Sequence, residues 1–131
     1  MVHWGFLKVD IAAHILPPRY KKTLDEAFPG HIQQDINERV RGLWDLDERF
    51  RIMDRYEVMH VLTLSRPPLE EVVEDPKRAI ELAKMANDEI AELVFKYPDR
   101  FPAGVATVVL TDVDASLKEL ERAIRDLNLR G

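Results

Sequence analysis

Four histidines and no cysteine bound the metal chemistry open to this chain: His3, His14, His31 and His60. Without thiolates there is no disulfide framework and no thiolate metal site. His14 ends the stretch VDIAAHILPP, which reads as a buried strand running out into a loop. Side chains alternate along a strand, so Asp10, Ala12 and His14 are expected on one face, with Val9, Ile11, Ala13 and Ile15 on the other. Two imidazoles at i and i+2 on a strand end can grip one zinc-like divalent ion from the same side. Here position i is Ala12, which has no donor atom. Spacing alone therefore leaves His14 a lone imidazole, satisfied by a loop carbonyl. Asp10 offers either a carboxylate that orients a ligand through a hydrogen bond or a buried acid with its own partner.

The remaining candidates are single residues. Ser65 and Arg66 follow a second apolar strand, VMHVLTLS. Arg66 can meet a substrate carboxylate with two parallel hydrogen bonds, or it is a solvated surface arginine. His60 sits in the middle of that strand and reads as a structural histidine that needs a polar partner. His31 lies in a polar stretch and reads as an exposed loop histidine, and His3 belongs to a frayed terminus. Trp44 is core or pocket wall. No glycine-rich phosphate loop and no Gly-x-Ser-x-Gly elbow is present.

The elements that must position these residues alternate. Strands are expected over Phe6–Leu16, Val58–Ser65 and Pro102–Leu110. The last two are nearly continuous Val- and Leu-rich runs, as in strands of a parallel sheet covered by helices. A helix follows Asp45, with Glu48 three residues on in a capping box; Leu46, Phe50, Met53 and Tyr56 fall on one face. Another has Asp75 as N-cap and Pro76 at its first position, a stripe through Ala79, Leu82, Ala83, Ala86, Ile90, Leu93 and Val94, and Pro98 beyond its end. A third places Leu117, Leu120, Ile124 and Leu127 on one face, with Asn128 suited to a left-handed C-terminal position. The pattern is repeated βα with right-handed crossovers, interrupted by an insertion over residues 17–43. The 131 residues make one domain, burying roughly 65–70% of the surface of the unfolded chain. A net charge of −5, with Lys and Arg scattered among Asp and Glu, argues against a nucleic-acid partner. No stretch approaches the ~20 apolar residues of a membrane helix. Asp10 interrupts the first apolar run, which lacks a basic start, so it does not read as a secretory signal. A cytoplasmic location is expected.

Several segments, in order, resemble one branch of the amidohydrolase superfamily, that of aminocarboxymuconate-semialdehyde decarboxylase. They are VDIAAHILPPRY, LWDLDERFRIMDRY, VLTLSRPPLEEV, ELAKMANDEIAELVFKYPDRFPAGVATV and ERAIRDLNLRG. The branch opens with Asp-x-His-x-His, often followed by Ile-Leu-Pro-Pro. The resemblance implies a TIM barrel with its site at the C-terminal strand ends. It also implies a divalent metal, usually zinc, that activates water or polarises substrate. It places Ala12 where the first metal histidine belongs and matches His14 to the second. A full barrel takes roughly 250 residues, so three βα units make an incomplete barrel. The implied activity is metal-dependent decarboxylation or hydrolysis of a small unsaturated or aromatic acid. Ala12 and the missing strands lead to the expectation that this chain alone neither holds metal tightly nor turns over. It would act with a partner chain carrying the other strands, or self-associate as a non-catalytic α/β module through its open strand edges. An open doubly wound sheet is the remaining fold, without a phosphate fingerprint to support it.

Overall fold

The computed structural model describes residues 8–131; the expected strand residues Phe6 and Leu7, and His3, lie outside them. Three strands, β1 (Lys8–Ile15), β2 (Val58–Leu64) and β3 (Ala103–Gly104), form a parallel sheet in the order β1-β2-β3. Between β1 and β2 lie helix α1 (Pro18–Ala27), helix α2 (Gln34–Arg39), a 3-10 turn (Arg41–Leu43) and helix α3 (Leu46–Tyr56). Short α4 (Leu69–Val72) and long α5 (Pro76–Lys96) connect β2 to β3, and α6 (Val113–Arg125) follows. The segment 17–43 thus carries two helices and a turn.

The helix ends follow local chemistry. Asp45 accepts from the Glu48 N–H at 3.2 Å, and Asp75 accepts from the Lys77 N–H at 3.1 Å with Pro76 at the first position. Asn128 takes the left-handed conformation, φ 56°. Helix α1 begins at Pro17–Pro18 and has no capping side chain of its own. Its first amides instead donate to a carboxylate from α5: Arg19 N–H and Tyr20 N–H reach the Glu89 oxygens at 3.0 and 2.9 Å.

Two expectations about side-chain placement are corrected. The alternation along β1 slips, because Asp10 pairs with His60 while Ala13 pairs with Leu62, so β1 carries one additional residue. Paired residues of a parallel ladder share a face. Asp10 therefore lies on the helix-covered face with Ala13 and Ile15, and His14, opposite Thr63, lies on the other. Helix α6 is also turned from its expected orientation. Ser116, Glu119 and Ala123 are buried, whereas Leu117 and Ile124 are exposed. Polar anchors set this rotation: the Ser116 hydroxyl donates to the Val109 carbonyl, and Glu119 accepts from Asn87 of α5 at 3.0 Å and from Arg122.

The third strand is shorter than the apolar run Pro102–Leu110. Val105 N–H still reaches Leu62 O at 2.8 Å. At Thr107 the buried Asn87 amide takes the place of a neighbouring strand, accepting from the N–H at 2.7 Å and donating to the carbonyl at 2.9 Å. Alongside, Arg130 N–H donates to Gly104 O and Ala106 N–H to Gly131 O, at 2.9 and 2.7 Å. Leu62, Ile15, Ile90, Phe101 and Leu129 build one core cluster; Leu16, Tyr20, Leu24, Leu82 and Val109 build the other. The opposite sheet face, with Ala12, His14, Val61 and Thr63, is exposed or half-exposed.

Candidate metal and carboxylate site

His14 stands near the C-terminal end of β1 with its ring exposed. Its ring makes no hydrogen bond among the described residues, so the loop-carbonyl partner is not formed; its backbone carbonyl accepts from Arg49 Nη2 instead. Ala12, two residues back, is also exposed.

Asp10 does not turn toward the His14 imidazole. Its Oδ1 accepts from the Ala12 N–H at 3.0 Å, and the slipped register sets its carboxylate near Arg49 and His60. Asp10, Ala13, His14, Gly42, Arg49, Ile52 and His60 line a cleft of about 160 Å³ there. The centre of this cluster is Arg49, which sequence reasoning missed: an arginine on a helix reads as solvated. It is only 5 % exposed. Its Nε donates to Gly42 O at 2.9 Å and its Nη1 to His60 Nδ1 at 2.9 Å. Burial pulls its pKa down to about 10, opposed by the Asp10 charge. A guanidinium only donates, so His60 Nδ1 accepts and the ring proton sits on Nε2. Burial, then the Arg49 charge, lowers the His60 pKa. His60 is the partnered structural histidine that its mid-strand position called for.

His31 is corrected from exposed to buried, its side chain 2 % exposed. Its Nδ1 accepts from the Gln33 N–H at 3.3 Å and its Nε2 donates to Asp25 at 2.8 Å. Asp25 in turn pairs with Lys21 at 2.7 Å. Trp44 packs on the core; its indole N–H donates to Asn37 O at 3.1 Å.

Ser65 and Arg66 leave the C-terminal end of β2. Ser65 N–H donates to Ile15 O at 2.8 Å, tying the two strand ends together. Arg66 O accepts from Asn37 Nδ2 at 3.1 Å, while the residue itself is exposed. Ser65, Arg66, Pro68, Glu70, Thr107 and Leu110 border a cleft of about 350 Å³. A guanidinium and a hydroxyl at such a cleft can hold a carboxylate. A metal ion needs more than this chain offers at β1, where Ala12 supplies nothing and His14 one nitrogen. Among the described residues no group of three His, Asp or Glu side chains is placed to hold an ion. Protein metal centres take three or four such donors, so the donor set does not fit a tightly held ion.

A parallel βαβ sheet with polar residues gathered at its C-terminal strand ends is shared by pieces of (β/α) barrels and by open doubly wound sheets. The comparisons with known proteins carry this further. A family described as Amidohydrolase matches residues 9–131, and the chain belongs to that family. Gamma-resorcylate decarboxylase of Rhizobium radiobacter is 32% identical over 124 residues, 95% of this chain and 37% of that protein. 2-Amino-3-carboxymuconate-6-semialdehyde decarboxylase of Dictyostelium discoideum is 27% identical over 141 residues, 95% of this chain and 39% of that protein. Among solved structures, 2,6-dihydroxybenzoate decarboxylase complexed with 2,6-dihydroxybenzoate superposes with a TM-score of 0.71 at 32% identity, covering 94% of this chain and 37% of that one. Dihydroxybenzoic acid decarboxylase of Polaromonas sp., with bound manganese and 2-nitroresorcinol, gives 0.73 at 30%, covering 94% and 36%. The ion in that relative is manganese, where the resemblance pointed to zinc. The chain spans about 37% of the length of the curated relatives it matches, and its fold is a partial barrel. Among the described residues no helix is long and apolar enough to cross a membrane.

Proposed function

We propose that this chain forms the N-terminal part of a cytoplasmic, metal-dependent decarboxylase of small aromatic or unsaturated carboxylic acids. By itself it neither holds the metal tightly nor turns substrate over. The observation that carries this reading is the common location of His14 and the Ser65–Arg66 turn. His14 lies opposite Thr63 near the ends of two adjacent parallel strands, and Ser65 is bonded across the same ends. Barrel enzymes gather their reactive groups there.

His14 contributes one imidazole to the ion. The other donors come from strands beyond these residues, in a continuation of the chain or on a partner chain. Arg66 takes the substrate carboxylate through paired N–H donors, and the Ser65 hydroxyl adds a further hydrogen bond. Manganese is favoured over zinc because the Polaromonas relative binds it. A non-catalytic α/β module is the second reading, and Ala12 favours it.

The test combines metal analysis with ligand titration. After dialysis against manganese or zinc, well under one ion per chain is expected, with no loss of carbon dioxide from 2,6-dihydroxybenzoate. The same compound should shift the NMR signals of Ser65 and Arg66, and Arg66→Gln should remove that shift. One ion per chain with turnover would refute the inactivity. No shift at Ser65 and Arg66 would refute the substrate class.

A further inference from the structure

The amide of Asn87, fully buried on α5, is committed on both sides. Its Oδ1 accepts from the Thr107 N–H at 2.7 Å, and its Nδ2 donates to the Thr107 carbonyl at 2.9 Å and to Glu119 at 3.0 Å. Turning the amide over would set its NH2 on an N–H and its oxygen on a carbonyl and a carboxylate, so its orientation is fixed. Glu119 is held in turn by two Arg122 nitrogens at 2.8 Å, and Arg122 Nη1 donates to Asp88 at 2.8 Å. This chain of groups ends on Thr107, beyond the last residue of β3, where the strand ladder no longer holds the backbone. The clamp grips only the Thr107 backbone. It would serve any side chain at this position, so it does not account for the hydroxyl. Thr107 is half-buried, and among the described residues its hydroxyl makes no hydrogen bond. It borders the cleft of about 350 Å³ that Ser65 and Arg66 also border.

We propose that the Thr107 hydroxyl is a third binding group of this cleft, that it takes a hydroxyl substituent of the acid held by Arg66, and that Asn87 is its positioning residue. This rests on the carboxylate reading of the Ser65–Arg66 cleft. Two segments wall the cleft, residues 64–70 after β2 and residues 106–110 after β3. Arg66 belongs to the first and Thr107 to the second, so a ligand between them can offer its carboxylate to one wall and a ring substituent to the other. Glu70, the carboxylate on the cleft, already has one oxygen on the Leu110 N–H at 2.7 Å. A hydroxyl both donates and accepts, so Thr107 pairs with a phenol in either sense without adding charge. The frame behind it matters because a side chain on irregular backbone otherwise loses freedom when it binds. Asn87 fixes that backbone before a ligand arrives.

The test is the Kd of 2,6-dihydroxybenzoate and of benzoate, read from the NMR shifts of Ser65 and Arg66 in the 131-residue chain. Thr107→Val keeps the shape and removes the hydroxyl. It should weaken 2,6-dihydroxybenzoate about fivefold, the contribution of one neutral hydrogen bond, and leave benzoate unchanged. Thr107→Ser should restore the wild-type value. The Asn87 side-chain amide signals should stay in place in both variants, which shows the clamp intact. Asn87→Ala, at a temperature where circular dichroism shows it folded, should lose the same discrimination, whereas a merely structural role would leave the ratio of the two constants where it was. Thr107→Val decides the role of the hydroxyl even where Asn87→Ala does not fold. If Thr107→Val weakens both acids alike, or neither, the proposal is overturned while the Arg66 reading stands, and in the second case the ring hydroxyl passes to Glu70. If neither acid moves Ser65 and Arg66, both readings fall together, and the silence of benzoate separates that failure from a failure of Thr107 alone.

Discussion

Asn87 is fully buried on α5 and makes three hydrogen bonds: two with the backbone of Thr107 and one with Glu119. Replacing it with Ala leaves the Thr107 N–H and C=O without their partner. Thr107 is half-buried, so water reaches part of that site, and each of these bonds falls near the low end of the usual range, about 1 kcal/mol. Glu119 is buried and charged, and a bond to a charged group is worth about 1.5–3 kcal/mol. Arg122 still holds both Glu119 oxygens, which favours the lower figure. Together the losses come to about 3.5 kcal/mol. Alanine in place of asparagine inside a helix returns about 0.6 kcal/mol. The expected net loss is about 3 kcal/mol, or roughly 10–15 °C in Tm for a chain of this size. Urea unfolding followed by far-UV circular dichroism measures it. A loss below about 1 kcal/mol would refute the reasoning, because the amide would then be replaceable by water and would not end the β3 ladder.

Three more outcomes follow from the site. Ala12→His, beside exposed His14, should tighten manganese or zinc binding at least about tenfold, some 1.4 kcal/mol, by calorimetric titration; unchanged affinity would mean that the two side chains do not share a face. His60 has a lowered pKa in the fold, so the unfolded chain binds its proton more readily. Its contribution is present above about pH 6.5 and withdrawn as pH falls below that value toward the folded pKa. Unfolding free energies should therefore decline below about pH 6.5, less so in His60→Gln, and nitrogen NMR should find the proton on Nε2. Arg49→Met should cost about 2 kcal/mol, since it leaves the Gly42 and His14 carbonyls and His60 Nδ1 bare in a cleft that water enters only in part; a neutral result in chemical denaturation would show that the guanidinium is dispensable.

Sequence patterns set by local chemistry were legible. The N-caps Asp45 and Asp75, the left-handed Asn128 and the stripe of α5 depend on neighbours a few residues away. The parallel sheet was legible because Val- and Leu-rich runs alternate with helical periods. What escaped depended on distant partners. The slip in β1 is decided by pairing with β2, and it moves Asp10 to the face opposite His14 without leaving a mark in VDIAAHIL. Arg49 is buried because three acceptors from three separate segments converge on it. Helix α6 turns because Asn87 and Val109 offer bonds to Glu119 and Ser116, and these outweigh the burial of Leu117 and Ile124. His31 is buried because Asp25 and the Gln33 amide satisfy both ring nitrogens.

The carboxylate that caps α1 comes from Glu89, 69 and 70 residues further along the chain. Helix α1 therefore leaves the ribosome 69 to 70 residues ahead of the carboxylate that completes its first turn. Until α5 has formed and docked, its opening amides have only water, and a ten-residue helix is too short to persist on propensity alone. Docking of α5 then supplies that carboxylate, a non-local contact that closes the loop between the two helices. A nascent chain arrested before residue 89 should expose the α1 segment to protease, and one arrested well after it should not.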